Sequence, residues 1–328
     1  MKVFITGGAG FIGSFVAKEL VSNGDDVIIY DSFVNFTSPL KSHYQFYLKR
    51  RLDNISNKVT VVRGDIRHKG HLLRTLNEHK PDNVIHLAAL PIATISNKFP
   101  EEATEINLYG TVNVLEAMRE VGVVKRFIYA SSSMIYGDFQ YSPADENHPK
   151  NPKDVYGATK LAGEILTESF GKMYGIDYII IRPSAVYGPT DANRRVSQIF
   201  VENALQGKPL VLHEGGNSKL DFSYVEDVAH GFVLALKSKV RNDVFNITRG
   251  EGKSIKEFSE ILSKLVPNLR TVVKPADIVR PERGALDISK ARKKLGYKPR
   301  YSLEEGLKKY VDFIKSVGVT KGSDNDKD

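Results

Sequence analysis

Six short apolar runs, separated by stretches of helical periodicity, limit this chain to very few folds. They are KVFITGG (2–8), DVIIYD (26–31), VTVVRGD (59–65), NVIHLAA (83–89), RFIYASS (126–132) and DYIIIRPS (177–184). Each is rich in β-branched residues and apolar on both faces, the pattern of a parallel strand covered by helices. Between them, 11–24, 67–79, 101–121 and 154–174 carry helical spacing, and the first ends on Asn23-Gly24, a helix stop. Strand–helix alternation of this kind predicts an α/β fold built on a doubly wound parallel sheet.

The first strand runs into TGGAGFIGS, with Gly7, Gly10 and Gly13 at the turn into the first helix, and Gly8-x-Gly10-x-x-Gly13 fits the dinucleotide fingerprint. One glycine permits a tight turn, another lets backbone approach a pyrophosphate, and a third lets helix and strand pack closely. The helix N-terminus then offers unpaired N–H groups and partial positive charge to phosphate. Asp31 ends the second strand, 18 residues beyond Gly13. A carboxylate there binds both ribose hydroxyls and repels a 2′-phosphate, so the pattern favours NAD over NADP. Asp65 ends the third strand, placed either to meet adenine or to cap the next helix. Ala88 and Ala89 end the fourth with small side chains, leaving room for a cofactor. These features make the fold a Rossmann type.

Tyr156 and Lys160 stand four apart in DVYGATKLAGE and share a helix face. A free tyrosine titrates near pH 10, too high for a base at neutral pH. A lysine ammonium one turn away favours the phenolate. Ser131, Ser132 and Ser133 lie at the C-terminal end of the fifth strand, where ligands of such sheets bind. A serine hydroxyl there either relays a proton to Tyr156 or caps a turn.

The last third is mixed. RRVSQIFVENALQGKPL is a helix stopped by Gly207, DVFNITRG a strand, and SIKEFSEILSKLV opens on a capping box of Ser254 and Glu257. SLEEGLKKYVDFIKSVG is a further helix. This organisation predicts a cofactor domain over 1–180, with 220–245 returning to it. A smaller mixed α/β lobe for substrate covers 181–315, and residues 320–328 form a disordered tail. The 328 residues contain no cysteine, which removes disulfides and thiolate metal sites, and no metal is expected. No stretch approaches the ~20 apolar residues of a membrane span. A strand pattern begins at once, so no leader is expected, and a cytoplasmic setting follows. The net charge of +8 suits an anionic ligand such as a nucleotide diphosphate. YLKRRLDN (47–54) is the compact basic run, and it reads as one helix face rather than a nucleic-acid module.

Taken together, TGGAGFIGS, Asp31, GDI, HLAA, NLYGTVNVLEA, SSSMIYG, Tyr156-x-x-x-Lys160, RPSAVYGP, DFSYVEDVA and ALDISKARKKLGYKP resemble the extended short-chain dehydrogenase/reductase family. Within it, the similarity is to the NAD-dependent nucleotide-sugar epimerase/dehydratase group. The resemblance implies that Gly7, Gly10, Phe11, Ile12 and Gly13 line the pyrophosphate, and that Asp31, Ser32 and Asn35 hold the adenosine ribose. It puts Asp65 and Ile66 around adenine, Leu87, Ala88 and Ala89 along the cofactor, Asn107 beneath it as a brace, and Pro183 near the nicotinamide. Counting back from Tyr136-Gly137, Ser132 takes the proton-relay role, Tyr156 that of base and Lys160 that of its partner. The group dimerises through paired helices, here 101–121 and 154–174. The implied activity is a nucleotide-sugar 4-epimerase working through a 4-keto sugar; the alternatives are another enzyme of the group, a dehydratase, decarboxylase or ketoreductase, and an NAD-binding protein that performs no chemistry.

Departures from the group bear on substrate. Sugar 4,6-dehydratases place an Asp-Glu pair where Ser133-Met134 stands, and decarboxylases place glutamate at 134. Methionine cannot take a proton, which disfavours both. Ala185 replaces a usual Asn, and Leu220 a frequent Arg, both of which serve the sugar diphosphate. Arg194, Arg195, Arg280 and Arg283 are the candidate replacements, with Arg283, four before Asp287, the best match to a phosphate-contacting arginine.

Overall fold

The computed structural model describes residues 1–37, 44–276 and 281–318. Arg280 and the 320–328 tail lie outside the described residues. Alternation runs through β1 (Lys2–Thr6), α1 (Phe11–Ser22), β2 (Asp26–Asp31), α2 (Tyr44–Leu52), β3 (Val59–Arg63), α3 (Lys69–His79) and β4 (Asn83–His86). Next come α4 (Ala93–Lys98), α5 (Pro100–Thr104), α6 (Gly110–Val121), β5 (Arg126–Ala130), α7 (Val155–Tyr174), β6 (Asp177–Arg182) and β7 (Val186–Tyr187). The chain continues through α8 (Val196–Leu205), β8 (Leu210–His213), β9 (Lys219–Asp221), β10 (Ser223–Tyr224), α9 (Val225–Lys237) and β11 (Asp243–Asn246). It closes with β12 (Gly252–Ser254), α10 (Ile255–Leu265), β13 (Thr271–Lys274), α11 (Ser289–Leu295) and α12 (Leu303–Val317).

Seven parallel strands form the main sheet in the order β11-β6-β5-β4-β1-β2-β3. The order turns back on either side of β1 and β4, the switch point where such sheets open a crevice. Successive side chains point to opposite faces. Val3, Ile5, Ile29, Ile128 and Ile179 therefore meet α1 and α9 on one side, while Phe4, Ile28, Val84, Phe127 and Ile180 meet α3 and α6 on the other. Each such burial contributes roughly 1.5–3 kcal/mol before entropy is charged against it.

Two sequence expectations give way here. VTVVRGD is not covered on both faces: β3 is the sheet's edge, β2 is its neighbour, and Val61 is 41% exposed. The expected helix over 101–121 is broken into α5, a π-helical turn at Glu105–Tyr109, and α6. An extra residue is accommodated there, a common device beside functional sites.

A second apolar core lies in the C-terminal lobe, built from Phe200 and Val201 of α8, Phe258 and Leu262 of α10, and Leu307, Tyr310 and Val311 of α12. The helix α2 reaches both cores: Tyr47 packs in the lobe, whereas Leu48 and Leu52 lie against the sheet's core.

Candidate functional site

The turn between β1 and α1 tolerates no side chains at its glycines. Gly7 has φ +71°, and a Cβ there would stand 2.6 Å from the Ala88 nitrogen, two residues past the end of β4. A Cβ on Gly13 would stand 2.2 Å from the Gly7 carbonyl oxygen. Gly10 caps α1 without a side chain, and the helix has no acidic residue in its first turn. The free N–H groups at this end therefore face the crevice beside an unopposed positive dipole end.

One cleft gathers Gly7, Gly10, Phe11, Ile12, Gly13, Asp31, Ser32, Asn35, Asp65, Ile66, Leu87, Ala88 and Ala89, all singled out in the sequence for the cofactor, together with Arg195. The Asp31 carboxylate accepts from the Ala9 N–H at 3.0 Å and the Phe33 N–H at 2.8 Å. Burial raises its pKa from the ordinary carboxylate value, against those two bonds and the charge of Arg51. Each oxygen keeps a lone pair for a further hydroxyl donor. Asp65 does not cap α3, which starts after His68 without a side-chain cap. It accepts instead from the Arg67 backbone N–H at 2.9 Å and pairs with the Arg67 guanidinium at 2.7 Å. Burial works to raise the Asp65 carboxyl, and its bonds to Arg67 hold it below the usual range.

Asn107 stands outside the cleft lining and holds the segment just past β4. From the π turn, its Oδ1 accepts the Leu90 N–H at 2.8 Å, and its Nδ2 donates to the Leu90 carbonyl and, at 3.1 Å, to the Thr159 hydroxyl. Arg51, Arg67 and Asn193 also line the cleft, although no sequence motif marks them. Arg51 belongs to the basic run that reads as one helix face, and it is 3% exposed.

The second group lies at the ends of β5 and β6, where α7 begins. Asp154 caps α7 through the Gly157 N–H. That fixes the helix carrying Tyr156 and Lys160. The Ser132 hydroxyl accepts the Met134 N–H at 3.2 Å, which caps a turn, and it favours the ionised form of the Tyr156 phenol. Lys160 Nζ is buried, donates to the Ala130 carbonyl at 2.7 Å and lies 6.0 Å from the Tyr156 ring centroid. Burial pushes Lys160 down to about 7, with Glu164 opposing.

Burial raises the Tyr156 pKa, and the cation that offsets it is Arg195, assisted by the Ser132 hydroxyl. The sequence assigns this role to Lys160. Asp154 opposes Arg195 and Ser132 and pushes Tyr156 upward. Arg195 lines the cleft as well, donates to the Pro91 carbonyl at 3.3 Å and lies 3.9 Å from Asp191.

The hydroxyls of Ser131 and Ser133 are buried without a hydrogen-bond partner among the described residues. The Ser133 N–H donates to the Pro183 carbonyl at 3.0 Å, which holds Pro183 beside this turn. Met134 occupies the one-turn 3-10 helix Ser133–Tyr136. Arg283 acts electrostatically on Asp154, at the start of α7. Arg194 instead pairs with Glu202 at 3.6 Å, while Ala185 and Leu220 pack on the apolar core of the lobe.

A buried ion pair holds this region together. Arg182 is bidentate to Glu164 of α7 at 2.8 and 2.7 Å, and it donates to the Tyr136 hydroxyl at 2.9 Å. Tyr136 in turn donates to Asn246 of β11 at 2.8 Å. Such a fully bonded network fixes geometry even where its net stabilisation is small.

The close glycine packing, the uncapped helix N-terminus and the carboxylate on β2 fit a dinucleotide. The tyrosine, serine and lysine beside it can remove and return a proton. Among the described residues, no group of three or more His, Asp or Glu can hold a metal, and no helix is long and apolar enough to cross a membrane.

Comparison with known proteins agrees with this geometry. A family profile described as GDP-mannose 4,6-dehydratase matches residues 4–310. A putative UDP-glucose 4-epimerase of Methanocaldococcus jannaschii is 35% identical, over 97% of this chain and 100% of that protein. The dTDP-D-glucose 4,6-dehydratase of Mus musculus is 32% identical, over 96% of this chain and 88% of that protein. Among solved structures, the UDP-glucuronic acid 4-epimerase of Bacillus cereus, in complex with UDP-glucuronic acid and NAD, superimposes with a TM-score of 0.88. It is 30% identical, over 97% of this chain and 100% of that one.

Proposed function

Because the chain belongs to the extended short-chain dehydrogenase/reductase family of nucleotide-sugar epimerases and dehydratases, we propose that it is an NAD-dependent nucleotide-sugar 4-epimerase. The observation that carries this reading is the buried Lys160 amine, 6.0 Å from the Tyr156 ring centroid, with Ser132 and Met134 at the neighbouring turn. The relatives include both epimerases and dehydratases. An elimination across C5 and C6 requires a base for the C5 proton, and the Met134 thioether is not one.

In this reading the N–H groups at the start of α1 hold the pyrophosphate of NAD, and Asp31 takes the adenosine ribose. The nicotinamide supplies a reversible hydride acceptor for C4 of the sugar. Tyr156 accepts the proton of the 4-hydroxyl, with Ser132 bonded to both oxygens during the transfer. Arg195 and Ser132 favour the phenolate against the cost of burial. Tyr156 returns the proton once the 4-keto sugar has presented its other face. Arg195 and Arg283 bind the substrate's anionic portion, in place of the polar residues absent at Ala185 and Leu220. The protein acts as a homodimer, joined through the exposed faces of α6 and α7 and the π turn between α5 and α6.

The test is incubation with UDP-, GDP-, CDP- and dTDP-sugars, with products followed by NMR. C4 epimers with no net NADH support the proposal. A stable 4-keto-6-deoxy product, or a decarboxylated one, overturns it in favour of a lyase.

A further inference from the structure

The side chain of Arg51 touches both halves of the cleft. Its Nη1 donates to the Ala9 carbonyl in the glycine loop at 3.3 Å. Its Nε and Nη2 both donate to the Thr190 carbonyl, at 3.3 and 2.7 Å, in the loop after β7. It does so while 3% exposed, on a helix that packs into both cores. The Ala9 peptide is held from its other side as well, because its N–H donates to Asp31.

The loop that Arg51 grips is strained. Thr190 has φ +70° and Arg194 φ +54°, in a stretch that also contains Gly188 at φ +144°. Non-glycine residues in this region persist only where their surroundings impose the conformation. A forked guanidinium on the Thr190 carbonyl is such a constraint. The next residue, Asp191, is fully buried, accepts from the Asn193 N–H at 3.1 Å and lies 3.9 Å from Arg195. Asn193 and Arg195 both line the cleft, and Arg195 acts on Tyr156. Contacts therefore run from the cofactor loop through Arg51 and Thr190 to Asp191 and on to Arg195 in the cleft.

We propose that Arg51 is a positioning residue that couples the cofactor loop to the substrate-side loop, so that binding of NAD at residues 7–13 orders residues 188–195 and aims Arg195. The proposal rests on the reading of the cleft as an NAD site. Because linkage is reciprocal, an anionic substrate held by Arg195 tightens NAD in return.

The experiment uses the full chain and NAD itself. Hydrogen exchange is followed in peptides covering 7–13 and 188–195, with and without NAD, in wild type, Arg51→Met and Arg51→Lys. Arg50→Met serves as control, since Arg50 lies on the same helix with its side chain 46% exposed. In wild type and in the control, NAD slows exchange in both segments. In Arg51→Met it slows exchange in the glycine loop alone, and NAD affinity falls about tenfold. Arg51→Lys keeps the charge and one donor and recovers part of both effects, which also preserves the test if the methionine variant fails to fold. Undiminished NAD protection of 188–195 in either folded variant overturns the coupling. A wild-type protein that takes up no NAD overturns instead the reading on which the coupling rests.

Discussion

Tyr156 works in surroundings that hold its proton on, and this sets the expected pH behaviour. Burial raises its pKa, and the charge of Arg195 and the Ser132 hydroxyl lower it. Turnover should therefore climb with pH as the phenolate forms. Replacing Arg195 with Met removes the lowering charge, so the acidic limb of the kcat/KM profile should move to higher pH. An unmoved limb would remove Arg195 from the account. Tyr156→Phe should cut kcat by at least about 100-fold, the lower end of what a positioned base supplies, with NAD affinity within about threefold of wild type. Single-turnover assays and NAD titration separate the two effects. At this scale the sequence was informative where a residue type is rare in its context, as for glycine at a strand–helix turn or Tyr-x-x-x-Lys after a serine-rich strand end. Arg51 was illegible because an inward arginine and a solvated one look alike in a basic run. The charge relation of Arg195 to Tyr156 joins segments far apart in the chain.

Helix ends carry the clearest expectations for whole elements. The capping box on α10, read from Ser254 and Glu257, is formed with both reciprocal bonds. The same Ser-x-x-Glu pattern at Ser302 and Glu305 starts α12 in the same way. Ser302→Ala should cost about 1 kcal/mol and lower Tm by a few degrees in a thermal melt, with NAD binding unchanged. Gly13→Ala should behave in the opposite way. Its Cβ would meet the Gly7 carbonyl oxygen at 2.2 Å, so α1 must retreat from the loop and NAD affinity should fall at least about tenfold by titration. The π turn was hidden because its residues have ordinary helical periodicity. What distinguishes it is the demand of Leu90 for Asn107, a tertiary bond with no local sign.

For the whole molecule, the main outward consequence is assembly. Tyr109 (62%), Ile165 (57%) and Met173 (74%) stand exposed on the π turn and α7, an apolar face that costs solubility unless covered. Ile165→Asp should convert a dimer to a monomer in light scattering at micromolar concentration, and a wild-type monomer would remove this interface. The alternation of strands and helices was legible because each parallel strand must be apolar through and through. The exposed edge at β3 was not, since VTVVR has the same composition as a covered strand and only its place in the sheet differs. The other edge has a consequence for synthesis. β11 pairs with β6, and Asn246 at its end closes the network through Tyr136 and Arg182 to Glu164. A chain emerging from the ribosome can assemble six strands by residue 182, but it must wait through the entire β7–α9 excursion before the sheet gains its last strand. Until then the β6 edge stays open, and it is there that a stalled or truncated product would seek a strand from another molecule.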